Sequence, residues 1–200
     1  MVLSYGTSTF TNVVVAGNTV GALDATSAPS GSTAAGAALT ASSGRVTFTN
    51  CAITGNTATL ATVTQAAGIY SGSLGTSSVY INLVNTDLSN NTIDGTSTTS
   101  VGAAVYTTYP SGVSPVSFRY SNVYGNTGGV GASATFAGLA TDPTGTDGNI
   151  SVDPGYTDIS ATDALDWDLT LSSGSGLRDM GDPTLLGADG TVLDIGAEGR

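Results

Sequence analysis

The chain has 200 residues, with four Arg, no Lys, no His and fifteen acids, for a net charge of −11. That balance excludes a surface that grips nucleic-acid phosphates, which needs clustered Lys and Arg, and it disfavours docking on anionic membranes. Without His the commonest general base and metal ligand is missing, so any chemistry must use carboxylates, hydroxyls, Tyr or Arg.

Gly, Ser, Thr, Ala, Asn and Val dominate the sequence, a composition suited to short strands and tight corners rather than long helices. No apolar run reaches the roughly 18 residues of a transmembrane helix. Met1–Phe10 has neither the basic start nor the apolar stretch of a secretory signal. Repeat sequence begins almost at once, which suggests a fragment or a mature chain cut from something longer.

Val2–Tyr5 reads as a short strand leading into a ten-residue phrase that occurs four times: FTNVVVAGNT at 10–19, FTNCAITGNT at 48–57, LVNTDLSNNT at 83–92 and FRYSNVYGNT at 118–127. Its skeleton is a large apolar residue, Asn or Tyr two on, an aliphatic residue five on, and a closing Asn-Thr. The closing Asn18, Asn56, Asn91 and Asn126 are spaced by 38, 35 and 35 residues. A repeat of this length marks a stacked architecture, in which one unit cannot bury its apolar face alone. Gly17-Asn18 reads as a corner, because both residue types accept positive φ. Polar bulges follow at Gly21–Ala35 and Asp94–Ser100, and small-residue strands (GAAL, AGIY, GAAVY) resume after each loop. Short strands with no 3.6-residue period predict an all-β coil.

Stacking would put Phe10, Phe48, Leu83 and Phe118 in one interior ladder, and Val15, Ile53, Leu88 and Val123 in another. The four closing asparagines would line a corner and hydrogen-bond from layer to layer. The lone Cys51 occupies the place held by Val13, Thr86 and Ser121 and reads as a small residue at a packed site.

The phrase and its following strand, together with YSNVYGN at 120–126, GTDGNISVDPGYTD at 145–158, DWDLTLSSGSGLRDMGDP at 166–183 and DGTVLDIGAEG at 189–199, resemble the right-handed parallel β-helix family, in particular bacterial secreted and surface proteins with polymorphic-outer-membrane-protein-like repeats. The resemblance implies an all-β, right-handed parallel β-helix, a solenoid of about four to six coils, with coils over 1–140 and a last coil and acidic capping tail over 141–200. It implies an extracellular or cell-surface setting and names no activity.

Residues 1–141 hold three acids and two Arg, and residues 142–200 hold twelve acids and two Arg, so the local net charges are −1 and −10. Asp147, Asn149, Ser151 and Asp153 alternate with Gly148, Ile150 and Val152. On a strand they would share one face: either a Ca2+ site, completed by Asp142, Asp158 or carbonyls, or the wet side of an amphipathic strand. Asp166 and Asp168 would pair on one side of a strand as a hydrolase's carboxylates do, or serve as turn residues. Trp167 between them would turn inward to plug the end of the stack. Asp153-Pro154-Gly155, Gly181-Asp182-Pro183 and Asp189-Gly190 are turn signals.

These features favour a structural or adhesive β-helix that meets further copies, or neighbouring coils of a longer chain, through its N-terminal edge. The alternative is a polysaccharide-binding or polysaccharide-cleaving domain, with Tyr70, Tyr106, Tyr109 and Tyr124 lining a carbohydrate groove.

Overall fold

The computed structural model describes residues 2–3, 6–21, 38–41, 44–59, 66–72, 79–94, 102–107, 115–128, 135–139 and 141–197. The two bulges expected at Gly21–Ala35 and Asp94–Ser100, apart from Gly21 and Asp94 themselves, lie outside the described residues, as does Tyr109.

Each repeat folds as a succession of short strands. The first unit holds β1 (Val2–Leu3), β2 (Thr7–Thr11), β3 (Val14–Ala16) and β4 (Thr19–Gly21). The second holds β5 (Leu39–Ala41), β6 (Gly44–Thr49), β7 (Ala52–Thr54) and β8 (Thr57–Thr59), and the third β9 (Ile69–Ser71), β10 (Val79–Val84), β11 (Asp87–Ser89) and β12 (Thr92–Asp94). The fourth has β13 (Val105–Thr107), β14 (Val116–Arg119) and β15 (Asn122–Tyr124), with Thr127 bridging to Thr92 in place of a last strand. β16 (Phe136–Ala137) opens a fifth.

Equivalent strands pair in parallel, giving sheets ordered β1-β5-β9-β13-β16, β2-β6-β10-β14, β3-β7-β11-β15 and β4-β8-β12. The register follows the phrase residue for residue. Phe10 lies against Phe48, Phe48 against Leu83, and Leu83 against Phe118. Val15, Ile53, Leu88 and Val123 form the second expected ladder. Leu39, Ile69, Val105 and Phe136 form a third, on the small-residue strands. Strand alternation explains which side chains enter the core: on β10, Val79, Ile81 and Leu83 are buried while Tyr80 faces out. Each aliphatic side chain so buried contributes roughly 1.5–3 kcal/mol.

Two corners shape each unit. The anticipated one is at Gly17, Gly55, Asn90 and Gly125, with φ of 62°, 63°, 55° and 64°. A second lies at the third residue of the phrase, where Asn12, Asn50, Asn85 and Tyr120 have φ of 55°, 52°, 49° and 46°. Asn tolerates the left-handed region because its short polar side chain bonds locally; Tyr does not. At Tyr120 the ring lies over Gly148, and the Arg119 guanidinium sits 5.6 Å from the ring centroid, so neighbouring contacts offset the strain.

The closing asparagines make the expected ladder. Asn18 Nδ2 donates to Asn56 Oδ1 (2.8 Å), Asn56 Nδ2 to Asn91 Oδ1 (2.9 Å) and Asn91 Nδ2 to Asn126 Oδ1 (2.8 Å). The backbone N–H of the same donor residue joins each bond at 3.0–3.1 Å. A parallel polar column runs through Cys51, Ser121 and Asn149, whose side chains accept the N–H groups of Val13, Thr86 and Ser121 at 3.5, 3.2 and 3.0 Å. Cys51 is buried and unpaired with another cysteine, and burial pushes its thiol pKa up.

Residues 141–153 continue beyond the fourth unit, with Tyr120 N–H donating to Asp147 and Val123 N–H to Ile150. The chain then doubles back along the outer face of the β3-β7-β11-β15 sheet. There β17 (Tyr156–Asp158) pairs antiparallel with β18 (Asp168–Leu171), and a single 3-10 turn at Ala164–Asp166 lies between them. No helix among the described residues is long and apolar enough to cross a membrane.

Candidate functional site

Two places depart from the regular pattern: the edge of the first unit and the junction between sheet and tail. β1, β2, β3 and β4 are each the terminal strand of their sheet. Phe10, Val13, Val15 and Val20 are only partly buried, whereas Phe48, Cys51, Ile53 and Ala58 at the same positions one unit on are fully buried. The opposite end differs, because Val116, Phe118 and Val123 of the fourth unit are covered and Phe136 packs edge-on against Phe118. Asn18 is exposed, and its side-chain Oδ1 accepts nothing from a described residue, although the Oδ1 atoms of Asn56, Asn91 and Asn126 each accept two N–H groups. Beside this edge runs a groove of about 660 Å³, walled by Val14, Ala16 and Asn18 of the first unit and by Asp163, Leu165 and Trp167 of the tail. Leu165 is 91% exposed at its rim.

The junction is built on Asp87. Strand alternation on β11 turns Leu88 into the core and points Asp87 and Ser89 outward, to the face the tail covers. Asp87 has no exposed surface. Its Oδ2 accepts the Ser89 hydroxyl at 2.5 Å and the Tyr156 hydroxyl at 2.6 Å, and its Oδ1 accepts Asn122 Nδ2 at 2.7 Å. Thr54 Oγ1 lies 2.9 Å from Ser89 Oγ and extends the network across the sheet. Burial holds the Asp87 carboxyl above the usual carboxylate range despite these donors, and nearby Asp153 adds like charge. Tyr156 is pushed well above the ordinary phenol value by burial and by Asp87. A buried, hydrogen-bonded polar cluster of this kind fastens the elements that contribute to it.

Other contacts extend the junction. Asn85 Oδ1 accepts Asp182 N–H (2.7 Å), and Asn85 O accepts Gly196 N–H (2.8 Å). Arg119 pairs with buried Asp182, the one ion pair among the described residues.

Trp167 rests on the glycine corner of the first two units: a Cβ on Gly55 would fall 2.5 Å from its ring. It therefore covers the flank of the stack instead of plugging its end, and its Nε1 donates to Ala161 O at 2.7 Å.

The residues proposed for calcium do not share a face. Asp147 has a left-handed φ of 49° and Gly148 one of 74°, which breaks the strand alternation on which that face depended. Asn149 turns into the stack, where its amide donates to Phe118 O and Pro143 O. Ser151 and Asp153 stay exposed, and Asp153 Oδ1 accepts Gly155 N–H. Among the described residues no three His, Cys, Asp or Glu side chains converge as metal ligands would. Asp166 and Asp168 also part company: Asp166 ends the 3-10 turn and Asp168 opens β18, both exposed. Tyr70 and Tyr106 do meet, in register on β9 and β13 with ring centroids 5.8 Å apart, while Tyr124 belongs to the β3-β7-β11-β15 sheet.

The acidic tail has a local explanation. Asp142, Asp153, Asp158, Asp163, Asp168, Asp182 and Asp189 each accept the N–H of the residue two positions on. These are Asx turns, in which the carboxylate closes the turn through its own backbone. The turn signals at Asp153, Asp182 and Asp189 are three of the seven. Asp87 was not visible from sequence as a site; its one local signal is a carboxylate at the phrase position held by Val14, Ala52 and Asn122.

No protein-family model, curated protein or solved structure matches the chain.

Proposed function

We propose that the chain is a structural or adhesive module of the right-handed parallel β-helix type, working outside the cell or at its surface, and that its first unit receives one further repeat unit of the same strand direction. The observation that carries this reading is the open edge of β1 to β4, with Phe10, Val13, Val15 and Val20 half-covered beneath it. Strand edges left in this state invite pairing. The open Oδ1 of Asn18 specifies the incoming group as an N–H pair, which a preceding unit's closing Asn would supply. A second copy is a poorer occupant, because its own open edge presents the same acceptor.

The test adds the missing layer. Val2 pairs with Thr40 and Thr40 with Tyr70, so a duplicate of residues 39–68 joined ahead of Met1 enters in register. The extended protein should melt about 5 °C or more above the original, as expected for one to three kcal/mol gained in a domain of this size. An unchanged melting temperature would sink the reading. So would a dimer of the unextended chain in sedimentation velocity that Phe10→Arg abolishes, since it would put a second copy on the edge.

A further inference from the structure

The tail reaches the sheet through a carboxylate that pairs with no cation among the described residues. From the sheet, Asp87 is faced by the Ser89 hydroxyl, which in turn meets Thr54 Oγ1, and by the Asn122 amide; from the tail it is faced by the Tyr156 hydroxyl and the Asp153 carboxylate. Arg119 is engaged by Asp182. Asp87 belongs to β11 and Tyr156 lies 69 residues later on the returning strand, so the contact shuts one segment against another. Water can reach Asp87 only if the tail lifts.

We propose that residues 154–196 form an acid-tightened strap, pinned to the β3-β7-β11-β15 sheet by neutral Asp87, in which Oδ2–H turns to Ser89 Oγ while the Ser89 hydroxyl turns to Thr54 Oγ1, and loosened when that carboxyl ionises. A buried charge without a counter-ion is destabilising, and lifting the strap restores its hydration. The sign follows from linkage. The closed strap holds the Asp87 proton to higher pH than the open one does, so its extra stability is complete below the open-state value and is lost as pH rises through the closed-state value. Asp158, Asp168 and Asp189 act oppositely. Their pKa values are lowered by Ser160, Thr170 and Thr191, so what they contribute is present above the open-state value and is lost as pH falls through the closed-state one. The strap should therefore be tightest in mild acid.

Hydrogen exchange of the full chain, corrected for intrinsic rates, tests this between pH 4 and 8. Protection of the strap amides Ser172, Ile195 and Gly196 should fall with rising pH, by up to about tenfold per unit for one linked proton, while the core amides Thr92 and Val123 hold theirs. Asp87→Asn keeps the shape and should abolish the fall. Asp153→Asn keeps the turn acceptor, removes the like charge, and should move the midpoint to lower pH. A flat wild-type profile, an unaltered profile in Asp87→Asn, or core amides that fall in step with the strap would each overturn the proposal.

Discussion

The asparagine ladder shows how much one position can hold. Asn91 accepts the N–H and Nδ2 of Asn56 and donates to Ile53 O and Asn126 Oδ1, all within a buried corner. Asn91→Ala would strand donors on one side and acceptors on the other, at about 1–3 kcal/mol for each group left unpaired. We expect chemical denaturation to show a loss of more than about 3 kcal/mol. Asn18→Ala, at the exposed end of the same ladder, should cost about 1 kcal/mol or less, since water replaces its partner. Equal losses at the two positions would mean that the ladder is ornamental. The ladder was legible because four copies of one phrase align it. The left-handed corner two residues into the phrase was equally present as Asn12, Asn50 and Asn85, but Tyr120 in the fourth copy concealed it, because Tyr is a poor witness for positive φ.

At the scale of elements the repeats were legible and the tail was not. Interior ladders follow from local alternation, which any copy of the phrase displays. The landing of the tail depends on contacts between residues far apart in the chain, such as Asp182 with Asn85, 97 positions away. No local pattern encodes that. The strand face expected for Asp147, Asn149, Ser151 and Asp153 is broken for a related reason: it assumed extended backbone from Asp147 onward, and a left-handed residue there is enough to scatter the side chains. The Trp167 contact offers a direct check on the tail's placement. Gly55 has φ of 63° and the indole directly above it. Gly55→Val should displace the ring, shift the emission of the single tryptophan to the red, and cost about 1–2 kcal/mol for the left-handed backbone alone. Unchanged emission would place Trp167 elsewhere.

For the whole molecule the uneven charge matters most. Ten of the eleven net negative charges lie in residues 142–200, folded against a stack that is nearly neutral. Exposed like charges repel, and salt screens them over a Debye length of about 10 Å at 0.1 M. The melting temperature should therefore rise by a few degrees between roughly 10 mM and 300 mM NaCl; a fall would indicate that the Arg119–Asp182 pair outweighs the repulsion. The Asx turns make this charge separable from shape. Asparagine closes such a turn as aspartate does, so replacing Asp142, Asp153, Asp158, Asp163, Asp168 and Asp189 by Asn would bring the net charge from −11 to −5 with every turn acceptor kept. Fold and electric field are thus independently adjustable in this tail: its outline can be inherited unchanged while its potential drifts, and selection can tune how strongly the molecule repels its neighbours without redesigning how it is built.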